Sequence, residues 1–181
     1  MDPITERGAG AVAGDDVVEL ILADHRLFEE LFRALRNREE DREARRRELA
    51  DLLVAHAEAE ESEVYPSLSR KARHEADEIE HGVEEHAEGH EALLELLRVE
   101  DVDGDGFEDA LEELVEVVNH HVDEEERDVL NAARENVEDE ARAELGRAFR
   151  RRRGELLDGS PGDPSNVARM VAEADRKGLL D

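Results

Sequence analysis

The chain has 181 residues, of which 52 are acidic and 24 basic, and its formal net charge of −28 would repel nucleic acids and anionic membranes. It contains no cysteine, which excludes disulfides, thiolate catalysis, iron–sulfur clusters and cysteine-bound zinc. Only Lys71 and Lys177 are lysines, and such an acidic, lysine-poor composition is typical of a halophilic microbe, the alternative being an ordinary acidic cytosolic protein.

The first residues, 1–15, are small and rich in glycine, and we predict a disordered tail there. They lack the charged-then-apolar pattern of a signal peptide, and no stretch of the sequence is apolar over the length that spans a bilayer. We therefore expect a cytoplasmic protein that contacts neither membranes nor nucleic acid.

Apolar residues recur at helical spacing over four long stretches, which predicts an all-α protein. Short connections indicate an antiparallel up-down-up-down four-helix bundle. Pro66 should kink or end the second helix. Asp163 as N-cap, Pro164 and a terminal Gly178 predict a short extra C-terminal helix. The predicted bundle helices span about 15–37, 41–71, 74–99 and 107–137, with a further helical stretch to about 157. The predicted domains are the tail (1–15), the bundle (16–157), and a linker with the C-terminal helix (158–181).

A pseudo-repeat with an offset of 65 positions relates the two halves of the bundle. In each half two histidines stand 31 positions apart, and a glutamate follows the second histidine by four. Residues four apart lie on one face of a helix, so each histidine–glutamate pair can reach the same small volume. Imidazoles suit iron, zinc or copper, and carboxylates can bridge two metals, so the pattern predicts a two-metal site. The repeat relates His25 to His90, His56 to His121 and Glu60 to Glu125.

His86 departs from this repeat, because Ile21 occupies the corresponding position in the first half. It precedes His90 by four residues, so both face inward. Three histidines on one metal and two on the other would leave an open coordination position, where dioxygen or nitric oxide could bind. The alternative is a plain structural bundle, in which burying two unpaired carboxylates would cost several kcal/mol each. We therefore favour the metal site.

Four short motifs together resemble the hemerythrin / HHE cation-binding family over about residues 16–137: DH at 24–25, H-x-x-x-E at 56–60, H-x-x-x-H at 86–90 and H-x-x-x-E at 121–125. The resemblance implies an antiparallel four-helix bundle that holds two iron ions in a non-haem di-iron centre. It implies His25, His56, His86, His90 and His121 as histidine ligands, and Glu60 and Glu125 as bridging carboxylates. The last motif in oxygen-carrying members is H-x-x-x-x-D, whereas H-x-x-x-E is found in microbial relatives with other roles; the retained His86 favours oxygen binding.

These motifs lead to three functional hypotheses. The first is a binding protein that takes up dioxygen or nitric oxide for sensing, storage or delivery, and we favour it over an enzyme. The second is a di-iron enzyme or stress protein that acts on nitric oxide, peroxide or iron. The third is a metal-binding or purely structural bundle. A proton-transfer residue beside the centre would support the enzyme.

The remaining histidines, His74, His81 and His120, lie off the inward stripes and are predicted to be solvated. His120 with Glu124 forms a competing H-x-x-x-E pair, but the repeat favours His121 with Glu125.

Residues 101–112 match the key positions of an EF-hand calcium loop. The eighth position, however, is Glu108 where an apolar residue is usual, and no second hand is present. We favour a polar loop over a calcium site there.

Overall fold

A computed structural model describes residues 14–71 and 76–180, so most of the predicted tail and His74 lie outside the described residues. All regular structure in the described part is helical, which confirms the predicted fold class. None of the described helices is both long and apolar enough to cross a membrane. The helices are α1 (Val17–Arg36), α2 (Arg42–Ala59), a π-helical turn (Glu60–Val64), α3 (Tyr65–Lys71), α4 (Ala76–Arg98), α5 (Asp105–Arg127), α6 (Val129–Asn136), α7 (Asp139–Leu157) and α8 (Pro164–Lys177).

Four long helices form the bundle, with α1 packed against α2 and α5, and α4 packed against α5 and α2. Their starts follow the sequence: Asp16, Asp41 and Asp163 each accept a hydrogen bond from a backbone N–H at the beginning of a helix. Pro164 is the first residue of α8, and Gly178 ends that helix with a φ of 73°, a conformation that glycine adopts without strain.

The apolar core consists of two clusters, one towards each end of the bundle. The first cluster contains Phe28, Leu35, Leu49, Leu93, Leu111 and Leu114, and the second contains Val18, Ile21, Val64, Ile79, Val129 and Phe149. On each long helix the candidate ligands fall between residues of the two clusters. The helices are therefore held in register by apolar packing above and below a buried polar layer.

The second bundle helix does not end at Pro66. A π-helical turn precedes the proline, and the N–H of Tyr65 donates to the carbonyl of Glu60, five residues earlier. Proline has no N–H and clashes with the carbonyl four residues before it, and the wider turn accommodates both effects. The last bundle helix is also interrupted, at Asp128, so the single helix predicted over 107–137 is two helices.

The two helices after the bundle cover its outside. Helix α7 packs across α1 and α2, and α8 packs on α4. Val167 of α8 is fully buried in the first apolar cluster, and Met170 and Val171 pack partly buried against it. The apolar stripe predicted for the C-terminal helix is the face that meets the bundle.

Residues 101–112 do not form an EF-hand loop. Helix α5 begins at Asp105, so the second half of the segment is helical. The carboxylate of Glu112, which would be the last calcium ligand, lies 2.8 Å from the Arg36 guanidinium, and Glu108 lies 3.0 Å from that of Arg42. The segment is a short polar connection followed by the start of α5, which forms ion pairs with Arg36 of α1 and Arg42 of α2.

Candidate metal centre

Six of the seven predicted ligands meet in the buried layer, in two groups that share Glu60. Within each group, one ligand atom per residue lies within 4.8 Å of all the others. The first group is His25, His56, Glu60 and Glu125, and the second is Glu60, His86 and His121. His121 and Glu125 face this layer, whereas the side chain of the competing His120 is 64% exposed.

The spacing of these atoms suits metal ions. A tetrahedral ion with bonds of about 2.1 Å holds its ligand atoms about 3.4 Å apart. The histidine Nε2 atoms lie at comparable distances from the glutamate oxygens: 3.3 Å for His25 and Glu125, 3.2 Å for His56 and Glu60, 3.3 Å for His86 and Glu60, and 3.8 Å for His121 and Glu125.

The ligand atoms have no hydrogen-bond partner among the described residues. This holds for the buried Nε2 atoms of His25, His56, His86 and His121, for Glu60 Oε1 and for Glu125 Oε2. Buried polar atoms are almost always hydrogen-bonded, and each one left without a partner costs about 1–3 kcal/mol. Six such atoms converging on one layer fit a site that binds cations.

Each of the four histidines is held from behind by a carboxylate. Its Nδ1–H donates to that carboxylate, which orients the ring so that Nε2 faces the centre and offers its lone pair there when the ring is neutral. The pairs are His25 with Glu126 (2.8 Å), His56 with Asp24 (3.1 Å), His86 with Glu61 (2.9 Å) and His121 with Glu85 (2.8 Å). Among these four acids only Asp24 belonged to a motif named from the sequence, and none of the four had been assigned a role there. Their signal was present, because each directly precedes a ligand histidine (DH, EH) or directly follows a ligand glutamate (EE).

The two halves of the centre are related differently from the sequence repeat. His25 and His86 each lie 3.3 Å from one ligand glutamate and donate to the acid that follows that glutamate in sequence. The structure therefore makes His86 the counterpart of His25, and the pairing of His25 with His90 was wrong. The residue without a counterpart is His90, one helical turn further along α4.

His90 lies outside both ligand groups, although it is buried and its Nε2 has no hydrogen-bond partner among the described residues. It lines a cavity of about 30 Å³ together with His86, His121 and the apolar side chains of Phe28 and Val118. Burial and the neighbouring His86 lower the pKa of His90 to about 4, so the ring is neutral. A neutral imidazole can act as a metal ligand.

A family model for the hemerythrin HHE cation-binding domain matches residues 16–133. The chain belongs to the hemerythrin HHE cation-binding domain family. No curated protein and no solved structure gave a significant match. Cation binding by this hemerythrin domain agrees with the two groups of histidine and glutamate ligands in its core.

The charges of the hemerythrin site without a cation follow from the shifted pKa values of two ligand residues. Burial lowers the pKa of His56, but the carboxylates of Glu60 and Asp24 outweigh burial and raise it to about 10. Burial raises the pKa of Glu60, but His56 and His86 outweigh burial and hold that pKa well below its usual range. Glu60 is therefore ionised, and the buried layer stores protons on histidine that an incoming cation must displace.

Tyr65 is a further residue of the site that the sequence did not place. The π-helical turn brings it beside the ligands, where its hydroxyl donates to Glu125 Oε1 over 2.9 Å. Its ring stacks on that of His86, with centroids 5.7 Å apart and planes inclined by 7°. Burial and the nearby Glu125 raise the pKa of Tyr65 well above its usual value, so the phenol keeps its proton.

Helix α7 supports the hemerythrin site from outside the segment that the family model matches. Arg153 donates two hydrogen bonds, of 2.7 and 2.8 Å, to the carboxylate of Asp24. Asp24 in turn accepts from His56, whose ring also meets Phe149 of α7 edge-on at 5.8 Å. Burial raises the pKa of Asp24, but His56 and Arg153 outweigh burial and bring the pKa below its usual value. The Asp24 carboxylate therefore stays ionised beside His56.

Proposed function

We propose that this domain holds a non-haem di-iron centre and binds dioxygen or nitric oxide for sensing, storage or delivery. The observation that carries the proposal is the set of four buried imidazoles, each backed by a carboxylate and each presenting an unpartnered Nε2 to shared glutamates. The proposed ligands are His25, His56, His86, His90 and His121, with Glu60 and Glu125 between the two irons.

The two halves would hold their irons unequally. His25 and His56 belong to one iron, whereas His86 and His121 belong to the other, with His90 as the third imidazole on that side. A di-iron pair supplies redox-active metal ions and an open coordination position for a small molecule. That position would lie on the side of His25 and His56, because His90 has no counterpart there.

The surroundings favour a small uncharged ligand. The cavity between His56 of one half and His86 and His90 of the other has a volume of about 30 Å³, enough for a water-sized or diatomic molecule. Phe28, Leu53 and Val118 contribute apolar walls to it. The net charge of −28 disfavours anions, whereas dioxygen and nitric oxide are uncharged.

We take residues 16–157 as the unit that carries this function, since Phe149 of α7 contacts His56 and Arg153 binds the Asp24 carboxylate behind it. The test is anaerobic iron(II) loading followed by exposure to dioxygen or nitric oxide. We expect two irons in the buried centre of each chain and an absorption change that reverses when the gas is removed. His56→Ala and His121→Ala should each lose iron, whereas Glu88→Gln, an exposed change on α4, should not. Unchanged iron content in both histidine variants would refute the metal centre. Full iron loading without a spectral response to either gas would show that the centre binds metal but does not bind the gas.

Tyr65 favours a second candidate, an enzyme that reduces nitric oxide or peroxide. Its hydroxyl is the one phenolic proton donor in the sequence, and it lies on the ligand Glu125. The experiment is to supply peroxide or nitric oxide with an added reductant and to follow consumption. Turnover that falls in Tyr65→Phe while the iron content stays at two per chain would support the enzyme over the binding protein.

A further inference from the structure

A second group of possible ligands lies on the surface where α4 meets α5. It consists of His81 and Glu85 on α4 and His120 and Glu124 on α5, and we call it the outer cluster. Both pairs have the H-x-x-x-E spacing of the inner ligands, so each pair shares one helix face. The sequence analysis treated both histidines as solvated, and their side chains are indeed 49% and 64% exposed.

Three of these side chains nevertheless converge, and His120 lies beside two of them. His81, Glu85 and Glu124 each place one ligand atom within 4.8 Å of the other two. The distances are 3.6 Å from His81 Nε2 to Glu85 Oε1, 3.5 Å from His81 Nε2 to Glu124 Oε2, 3.6 Å from His120 Nε2 to Glu85 Oε1, and 3.8 Å from His120 Nε2 to Glu124 Oε1. A tetrahedral ion with bonds of about 2.1 Å separates its ligand atoms by about 3.4 Å, which these distances approach.

The buried carboxylate of Glu85 points to a bound ligand. It is only 4% exposed, yet its Oε1 has no hydrogen-bond partner among the described residues and is directed at both histidines. A buried carboxylate oxygen without a partner is costly unless a proton donor or a cation satisfies it.

We propose that the outer cluster binds one divalent transition-metal cation through His81, Glu85, His120 and Glu124. Two imidazoles and two carboxylates match the preferences of zinc, cobalt(II) and iron(II) better than those of calcium or magnesium, which prefer oxygen ligands. The proposal stands on these four residues and does not depend on iron in the inner centre.

Glu85 also connects the outer cluster to the inner centre. Its Oε2 accepts the Nδ1–H of His121 over 2.8 Å, while its Oε1 faces the outer histidines. A narrow cavity of about 10 Å³ is lined by His81 and Glu124 on one side and by His121 and Glu125 on the other. A cation on Oε1 withdraws charge from Oε2, so occupancy of the outer cluster weakens the support of His121, and the effect is reciprocal.

Cobalt(II) titration of the chelator-treated full-length protein tests the outer site, with excess magnesium to suppress non-specific binding to the acidic surface. Calorimetry and cobalt absorption should report three cations per chain in the wild type and two in His81→Ala/His120→Ala. Glu124→Gln should also lose one cation, while Glu88→Gln, the same charge change at an exposed position of α4, should retain three. His25→Ala/His56→Ala removes inner ligands and should leave the outer event in place.

His25→Ala/His56→Ala separates the two proposals, because loss of metal binding at the inner centre should leave cobalt(II) binding at the outer cluster intact. Equal stoichiometry and affinity in the wild type and His81→Ala/His120→Ala would overturn the outer site and leave only histidine–carboxylate ion pairs there.

Discussion

Tyr65 donates its hydroxyl hydrogen to Glu125 Oε1 over 2.9 Å, although the two residues are 60 positions apart in sequence. The bond joins α3 to α5 across the buried layer, and it depends on the π-helical turn that carries Tyr65 inward. One oxygen of Glu125 is thereby fixed by the phenol, while the other faces His25 at 3.3 Å.

Replacement of Tyr65 by phenylalanine should destabilise the metal-free protein by about 1–3 kcal/mol, because a buried carboxylate oxygen loses its donor. The ring contact with His86 would remain, so we expect the same metal content as in the wild type. Urea unfolding of the chelator-treated protein measures the first effect and elemental analysis the second. Unchanged stability would mean that the hydrogen bond is not formed in solution.

His86→Ala and His90→Ala should differ, although the two histidines stand one turn apart on α4. His86 Nε2 lies 3.3 Å from Glu60, whereas His90 lies outside both ligand groups. We expect His86→Ala to lose one of two metal ions. His90→Ala should keep both and bind the metal on its side more weakly. Metal content after dialysis against a weak chelator compares them, and a greater loss in His90→Ala would restore the pairing that the sequence repeat suggested.

Metal binding at neutral pH should release protons. Burial lowers the pKa of His56 and of His86, but nearby carboxylates outweigh burial and raise these pKa values to about 10 and about 9. Both histidines are therefore protonated in the metal-free protein and must lose a proton to become ligands. Calorimetry in two buffers of different ionisation enthalpy gives the number released. We expect affinity to rise with pH through this range, and pH-independent binding would contradict it.

The metal-free protein should show the opposite trend in stability. The folded-state pKa of His56, about 10, lies above its ordinary value of 6.5. Its contribution to the free energy of unfolding is therefore fully present below pH 6.5 and is lost as the pH rises through about 10. Thermal unfolding with and without chelator across this range should show stability falling with pH only in the chelated sample.

Arg153→Met should weaken metal binding, although Arg153 touches no ligand. The guanidinium holds Asp24, and Asp24 holds the ring of His56. Loss of such outer support typically costs about 10–100-fold in metal affinity. Arg152→Met is the matched control, because the neighbouring Arg152 makes only surface ion pairs at 3.9 Å. Competition with a coloured chelator measures both affinities, and equal values would show that α7 does not support the centre.

Two glycines of α7 should respond oppositely to alanine. A Cβ at Gly146 would lie 1.5 Å from the carbonyl oxygen of Asp15, so α7 would have to move away from the start of α1. We expect Gly146→Ala to cost about 1–3 kcal/mol or more. A Cβ at Gly154 meets nothing within 4 Å, so Gly154→Ala should stabilise the helix by up to about 1 kcal/mol. Urea unfolding compares the two, and a tolerated Gly146→Ala would contradict the close packing of α7.

Helical periodicity, caps and the H-x-x-x-E motifs are local features, and the sequence therefore predicted the all-α bundle, the start of α8 at Asp163 and the kinds of ligand in the core. The π-helical turn before Pro66 was not predicted, because a proline indicates only that regular hydrogen bonding must change. The role of Tyr65 depends on that turn. The outer cluster was missed for a related reason, since exposed histidines on two helices meet only after α4 and α5 pack.

From the sequence alone, the recurrence of histidines and glutamates on helical faces predicted a cation site in the core. The counterpart of His25 could be identified as His86, rather than His90, only from the tertiary structure. His86 and His90 lie one turn apart on the same face of α4, so the spacing in sequence does not distinguish them. The axial register of α4 against α5 and α2 distinguishes the two histidines, and that register is set by the apolar clusters on either side of the polar layer.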